Sequence, residues 1–118
     1  MARIVGLFVL VFIGYAICAP RDVSSGNWLI ASCQLSAKSI EIEHVSDNPF
    51  EAFRDGYCSG LVQGIAETSP NVCPGDHVTN EQTIRVVLKY LQDHPEELNR
   101  KSNRLVEEAL SKAFPCKR

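Results

Sequence analysis

Nowhere does this chain carry an H-E-x-x-H helix, a G-x-S-x-G turn, a glycine-rich phosphate loop or an EF-hand acid ladder. The usual sequence routes to zinc hydrolysis, acyl transfer, nucleotide binding and calcium binding are therefore absent. Basic residues are not in excess, with 12 Lys and Arg against 14 Asp and Glu. A nucleic-acid partner calls for a basic face, so that class is excluded. There is no C-x-x-C pair, and the last four cysteines, Cys33, Cys58, Cys73 and Cys116, stand 25, 15 and 43 residues apart. Zinc sites favour tight pairs, so neither a metal nor a cofactor is expected. No segment alternates apolar and polar residues in the manner of a strand, and no repeat or low-complexity tract occurs.

Long apolar runs are also missing, apart from Ile4 to Ile17 behind Arg3. That run is short of the roughly 20 residues a membrane helix needs and reads instead as a secretory signal. Cleavage after Cys18 is expected, dividing the chain into a signal peptide, residues 1–18, and a mature domain, residues 19–118, with no membrane anchor left. The mature chain would hold 11 basic and 14 acidic residues, a net charge near −3. Its four cysteines are an even number in an exported chain, which points to two disulfides. The acid is unevenly spread. Between Ser39 and Thr68 stand Glu41, Glu43, Asp47, Glu51, Asp55 and Glu67, with Arg54 as the one basic residue. Such a face either solvates the domain or steers a basic partner.

Helical signals dominate the rest. Residues 19–26 read as a flexible leader. A first helix is expected from Trp28 to about Leu35, capped by Asn27, with an irregular acidic connection over residues 39–48. A second follows Asp47 or Asn48 as cap and Pro49 in the first turn, with Phe50, Phe53, Tyr57, Leu61 and Ile65 as its core stripe. Gly56, Gly60 and Gly64 form a row beside it. Each costs about 0.5–1 kcal/mol relative to Ala, which suggests that another helix backbone approaches closely there. After a loop holding Pro70, Pro74 and Gly75, a third helix starts at Thr79 with Gln82 in capping-box position, and Ile84, Val87, Leu88 and Leu91 face inward. His94 and Pro95 end it. A fourth helix, about Arg100 to Ala113, turns Leu105, Val106, Ala109, Leu110, Ala113 and Phe114 inward. The expected fold class is all-α, a small disulfide-stapled bundle of about four main helices. Three cysteine pairings are possible. Antiparallel helices favour Cys33 with Cys58 and Cys73 with Cys116.

For catalysis, the candidates are His44, His77, His94 and the cysteines. Oxidised cysteines cannot act as thiolates. His77 adjoins Asp76 on a loop, where neighbours seldom face each other, and His94 sits in a helix-ending turn. No catalytic residues are assigned, and an enzyme is not expected.

The segments CSGLVQGIAE (Cys58 to Glu67), VCPGDHVTNEQ (Val72 to Gln82), VVLKYLQDHPEEL (Val86 to Leu98) and LVEEALSKAFPC (Leu105 to Cys116) together resemble the Rap/Tai family of periplasmic immunity proteins. Leu61 departs from the tyrosine many relatives carry there. The resemblance implies a helical, often homodimeric, periplasmic protein that binds a papain-like peptidoglycan amidase delivered by type VI secretion and sterically fills its active-site groove. The matched residues read as core and turn constraints, so toxin contacts are expected elsewhere: Glu41, Glu43, His44 and Asp47, with His77 as second choice. The rival classes are an envelope protein-binding subunit and an acid-stress periplasmic chaperone.

Overall fold

A computed structural model describes residues 22–117. The expected signal segment and its cleavage site lie outside the described residues. Among those described, four helices follow one another: α1 (Gly26–Glu41), α2 (Pro49–Thr68), α3 (Asn80–Asp93) and α4 (Ser102–Ala113), with a short 3₁₀ turn at Pro95–Glu97 between the last two. No strand forms among the described residues, as the lack of alternation implied. None of the helices is long and apolar enough to cross a membrane.

Local chemistry sets most boundaries. Asn48 caps α2 by accepting the amides of Phe50 and Glu51 at 2.9 and 3.4 Å, and Pro49 takes the first turn, where no amide is needed. Thr79 caps α3 by accepting the Gln82 amide at 3.1 Å. His94 is the C-cap of α3, directly before Pro95.

α1 departs from the reading of the sequence at both ends. Its cap is Ser25, not Asn27, and it runs on to Glu41. Of the expected flexible leader, the described part is not loose, because residues 24–27 are tied to the start of α4; residues 19–21 lie outside the described residues. Gly26 donates its amide to the Arg100 carbonyl at 2.9 Å, Asn27 to Leu98 at 2.8 Å, and Ser102 donates back to Ser24 at 2.7 Å. These pairings lie 70 or more residues apart in sequence, so local propensity carries no sign of them.

The core comprises Leu29 and Cys33 of α1, Cys58 and Val62 of α2, Ile84, Val87 and Leu91 of α3, and Leu105, Val106, Ala109 and Leu110 of α4, with Val72 from the α2–α3 loop. Two disulfides join the elements, Cys33–Cys58 and Cys73–Cys116. The first lies inside the core and fixes α1 against α2. The second ties the loop before α3 to the chain after α4. By loop-closure entropy, spans of 25 and 43 residues correspond to about 3.5 and about 4 kcal/mol.

Two packing expectations fail on α2. Phe50 and Phe53 of the expected stripe are 49% and 60% exposed, whereas Tyr57, Leu61 and Ile65 are half-buried and do pack against the core. Cys58, held by its disulfide, sets the rotation of the helix. Phe53, five residues earlier, is turned from it by roughly 140°. The glycine row points to solvent as well, since a Cβ at Gly56, Gly60 or Gly64 would meet nothing within 4 Å. The close backbone approach occurs at Gly26 instead, where a Cβ would lie 2.5 Å from Leu105 Cδ1 and 2.9 Å from Leu98 Cα. At α4, Ala113 is exposed, whereas Phe114 is half-buried and packs against the core.

Candidate partner-binding surface

The connection between α1 and α2 is short, acidic and ordered. Helix α1 ends in a hydrogen-bonded C-terminal turn in which His44 donates its amide to Ser39 at 3.1 Å and Glu43 donates to Ile40 at 3.3 Å. That pattern needs a left-handed residue just past the cap, and glycine is the usual occupant. Here it is Glu43, at φ 52°, the one non-glycine residue with positive φ among those described. Holding an L-residue in this conformation costs about 1–2 kcal/mol. The turn therefore presents a carboxylate at a position where glycine would be more stable.

Further along, the His44 ring lies 3.8 Å from the Asp47 carboxylate, both well exposed. Ser46 donates to Glu51 at 2.6 Å and accepts the Asn48 amide at 3.2 Å, which closes the connection onto the start of α2. The fold thus brings Glu41, Glu43, His44 and Asp47 together on one connection. His77 is placed apart from them, on the α2–α3 loop beyond the other end of α2, a 20-residue helix whose length is about 30 Å.

Four exposed apolar side chains lie among these acids and were not expected there: Ile42, Val45, Phe50 and Phe53. Phe50 meets Trp28 edge to face, with ring centres 5.9 Å apart, and the Arg54 guanidinium lies 4.2 Å from the centre of the Trp28 ring. The sequence did hold a signal for this. Once Cys58 is assigned to a buried disulfide, helical geometry turns Phe53 to the outside, while the apolar spacing alone suggested a core stripe.

The remaining polar network lies at the α3–α4 end. The Tyr90 hydroxyl lies 3.1 Å from both the Glu97 and the Glu108 carboxylates, which share its one proton, and Arg100 grips Glu108 with two bonds of 2.8 and 3.2 Å. Desolvation and the two carboxylate partners push the Tyr90 hydroxyl up to about 12. The Arg100 bonds hold the Glu108 carboxyl below its ordinary value, and the Asn71 and Ser69 side chains do the same for Glu107. His94 contacts Glu96 at 3.2 Å and stacks on Tyr90 at 4.4 Å. The three histidines lie on three separate connections and all four described cysteines are disulfide-bonded. No group of three or more His, Cys, Asp or Glu among the described residues is arranged to hold a metal ion.

Residues 25–116, from the cap of α1 to the last disulfide cysteine, match the family described as Rap1a immunity proteins. No curated protein and no solved structure matches the chain.

Proposed function

Because the chain belongs to the Rap1a immunity proteins, we propose that it is exported, loses residues 1–18, and acts in the periplasm by binding a type VI secretion peptidoglycan amidase. Inhibition is steric: a surface segment fills the substrate groove of the papain-like enzyme and excludes the cell-wall peptide. The two disulfides support an oxidising compartment for the folded protein.

The observation that carries the reading is the α1–α2 connection. It is exposed, acidic and held in one conformation by its own hydrogen bonds, and it keeps Glu43 in a backbone conformation that costs stability. Strain held in a surface turn is a recurrent mark of a binding segment. Glu41, Glu43, His44 and Asp47 form this contact; His77, at the far end of α2, is peripheral to it.

The test is a cell-wall cleavage assay with the purified amidase and oxidised immunity protein. The wild type is expected to abolish cleavage at stoichiometric ratio. The double variant Glu41→Lys/Glu43→Lys is expected to bind at least about tenfold more weakly with its thermal midpoint retained. Inhibition undiminished by the double charge reversal removes the acidic connection from the interface.

A further inference from the structure

We infer that Ile42, Val45, Phe50 and Phe53 form the seat for a basic, apolar segment of the bound toxin. This rests on the immunity reading above and names what the site receives. Exposed apolar residues scattered singly are ordinary, but several concentrated on one short stretch of surface chain are the mark of an interaction surface. Among the described residues, four of the five large hydrophobic side chains that stand exposed fall between residues 42 and 53. Two adjoining grooves cross this region. One runs past Ile42, His44 and Asp47, the other past Gln34, Phe50 and Arg54, and they share Leu35, Lys38 and Glu51.

Charge selects the occupant. Glu41, Glu43, Asp47 and Glu51 are all exposed around the seat. Against them stand Lys38 and Arg54, and the Arg54 guanidinium is engaged with Trp28, over its ring and with one donor on its carbonyl at 3.3 Å. The rim is therefore net negative and the seat apolar. Its complement is an apolar side chain flanked by Lys or Arg, as in the hydrophobic centre and charged rim of a specific interface. A second copy of this chain would bring the same acids against these, so like charges disfavour it as the occupant.

The seat is also pre-formed, which limits the ordering cost of binding. Phe50 is held against Trp28, its amide is fixed by Asn48, and Glu51 is tied to Ser46. Aromatic side chains, Phe among them, are enriched at the core of specific interfaces.

Trp28 is the single tryptophan of the chain, so its fluorescence reports on Phe50 directly. Two measurements test the inference. First, the purified amidase is titrated with wild type and with Phe50→Ser/Phe53→Ser, circular dichroism and the thermal midpoint serving as the folding control. Ile42→Ser/Val45→Ser, on the connection, provides a second variant should the helix variant fold poorly. Second, Trp28 emission is followed with three short synthetic peptides, one rich in Lys and Leu, one with Glu in place of Lys, and one with Ser in place of Leu.

The expected result is a loss of amidase affinity of roughly tenfold or more in each folded variant, with a Trp28 response to the Lys/Leu peptide alone. Wild-type affinity in folded variants, or an equal response to the Glu/Leu peptide, overturns the inference. A wild-type dimer in sedimentation that the Phe variant abolishes also overturns it, in favour of a second copy. A wild type that takes the Lys/Leu peptide but no amidase leaves the seat standing and removes the immunity reading.

Discussion

The Arg54 guanidinium lies 4.2 Å from the centre of the Trp28 ring and donates to the Trp28 carbonyl at 3.3 Å. The only basic residue in the acidic stretch between Ser39 and Thr68 is thus turned inward onto α1. The acids around it outnumber the basic groups left at the surface, and Phe50 rests on the other partner of this stack. Arg54→Ala is expected to destabilise the protein by about 1–2 kcal/mol, from the lost cation–π contact and hydrogen bond. Arg54→Lys should recover only part, because an ammonium lacks the planar fork that stacks and donates at once. Urea unfolding of the three proteins measures both.

The glycines of this chain divide into two kinds, and alanine substitution separates them. At Gly60, where a Cβ meets open space, Gly60→Ala should stabilise by about 0.5–1 kcal/mol through helix propensity. At Gly26, wedged against Leu105 and Leu98, Gly26→Ala should destabilise by about 1–3 kcal/mol through overpacking. Thermal unfolding with opposite signs for the two variants is the expected outcome. A destabilising Gly60→Ala would mean that the exposed row is in contact in solution.

Glu43 offers a test of stability against function. Glu43→Gly relieves the left-handed backbone and should stabilise by about 1 kcal/mol, while the amidase is bound more weakly. Loss of stability in this variant would show that the carboxylate makes a structural contact worth more than the strain.

The α3–α4 network makes stability fall at both extremes of pH. Glu108 and Glu107 have folded pKa values depressed below 4.5. Their contribution is fully present above that value and is lost as pH falls through the lower folded values. Tyr90 behaves in the opposite sense: its pKa rises from 10.0 to about 12. Its contribution is present below pH 10 and lost as pH climbs from there toward 12. Thermal midpoints across pH should show both losses. Glu108→Gln should flatten the acid limb, and Tyr90→Phe should flatten the alkaline limb.

The two disulfides should respond differently to reductant. Cys33 and Cys58 are completely buried, whereas Cys73 is exposed and Cys116 half-exposed. A mild thiol reductant under native conditions is expected to open Cys73–Cys116 alone, as mass spectrometry of alkylated protein would show. Cys33–Cys58 should be reduced only through unfolding. Removing the outer bridge by Cys73→Ser/Cys116→Ser should cost about 2–4 kcal/mol.

Helix type and number followed from the sequence because their causes are local. The 3.6-residue period around Ile84 to Leu91 and Leu105 to Leu110, the caps at Asn48 and Thr79, and the stop at Pro95 act within a few residues of where they stand. The cysteine pairing was open to three arrangements, and antiparallel helices favoured the one observed. The acidic character of residues 41–47 was plain as composition. What the sequence left undecided depends on groups far apart in the chain. Ser25 caps α1 locally, but the tie between Gly26 and Arg100 that holds this start against α4 has no local pattern to encode it. The Cys33–Cys58 bridge sets the rotation of α2, which turned Phe53 from core to surface and sent the glycine row outward. Spacing decides which residues share a face of a helix. Only tertiary packing decides which of those faces meets the core.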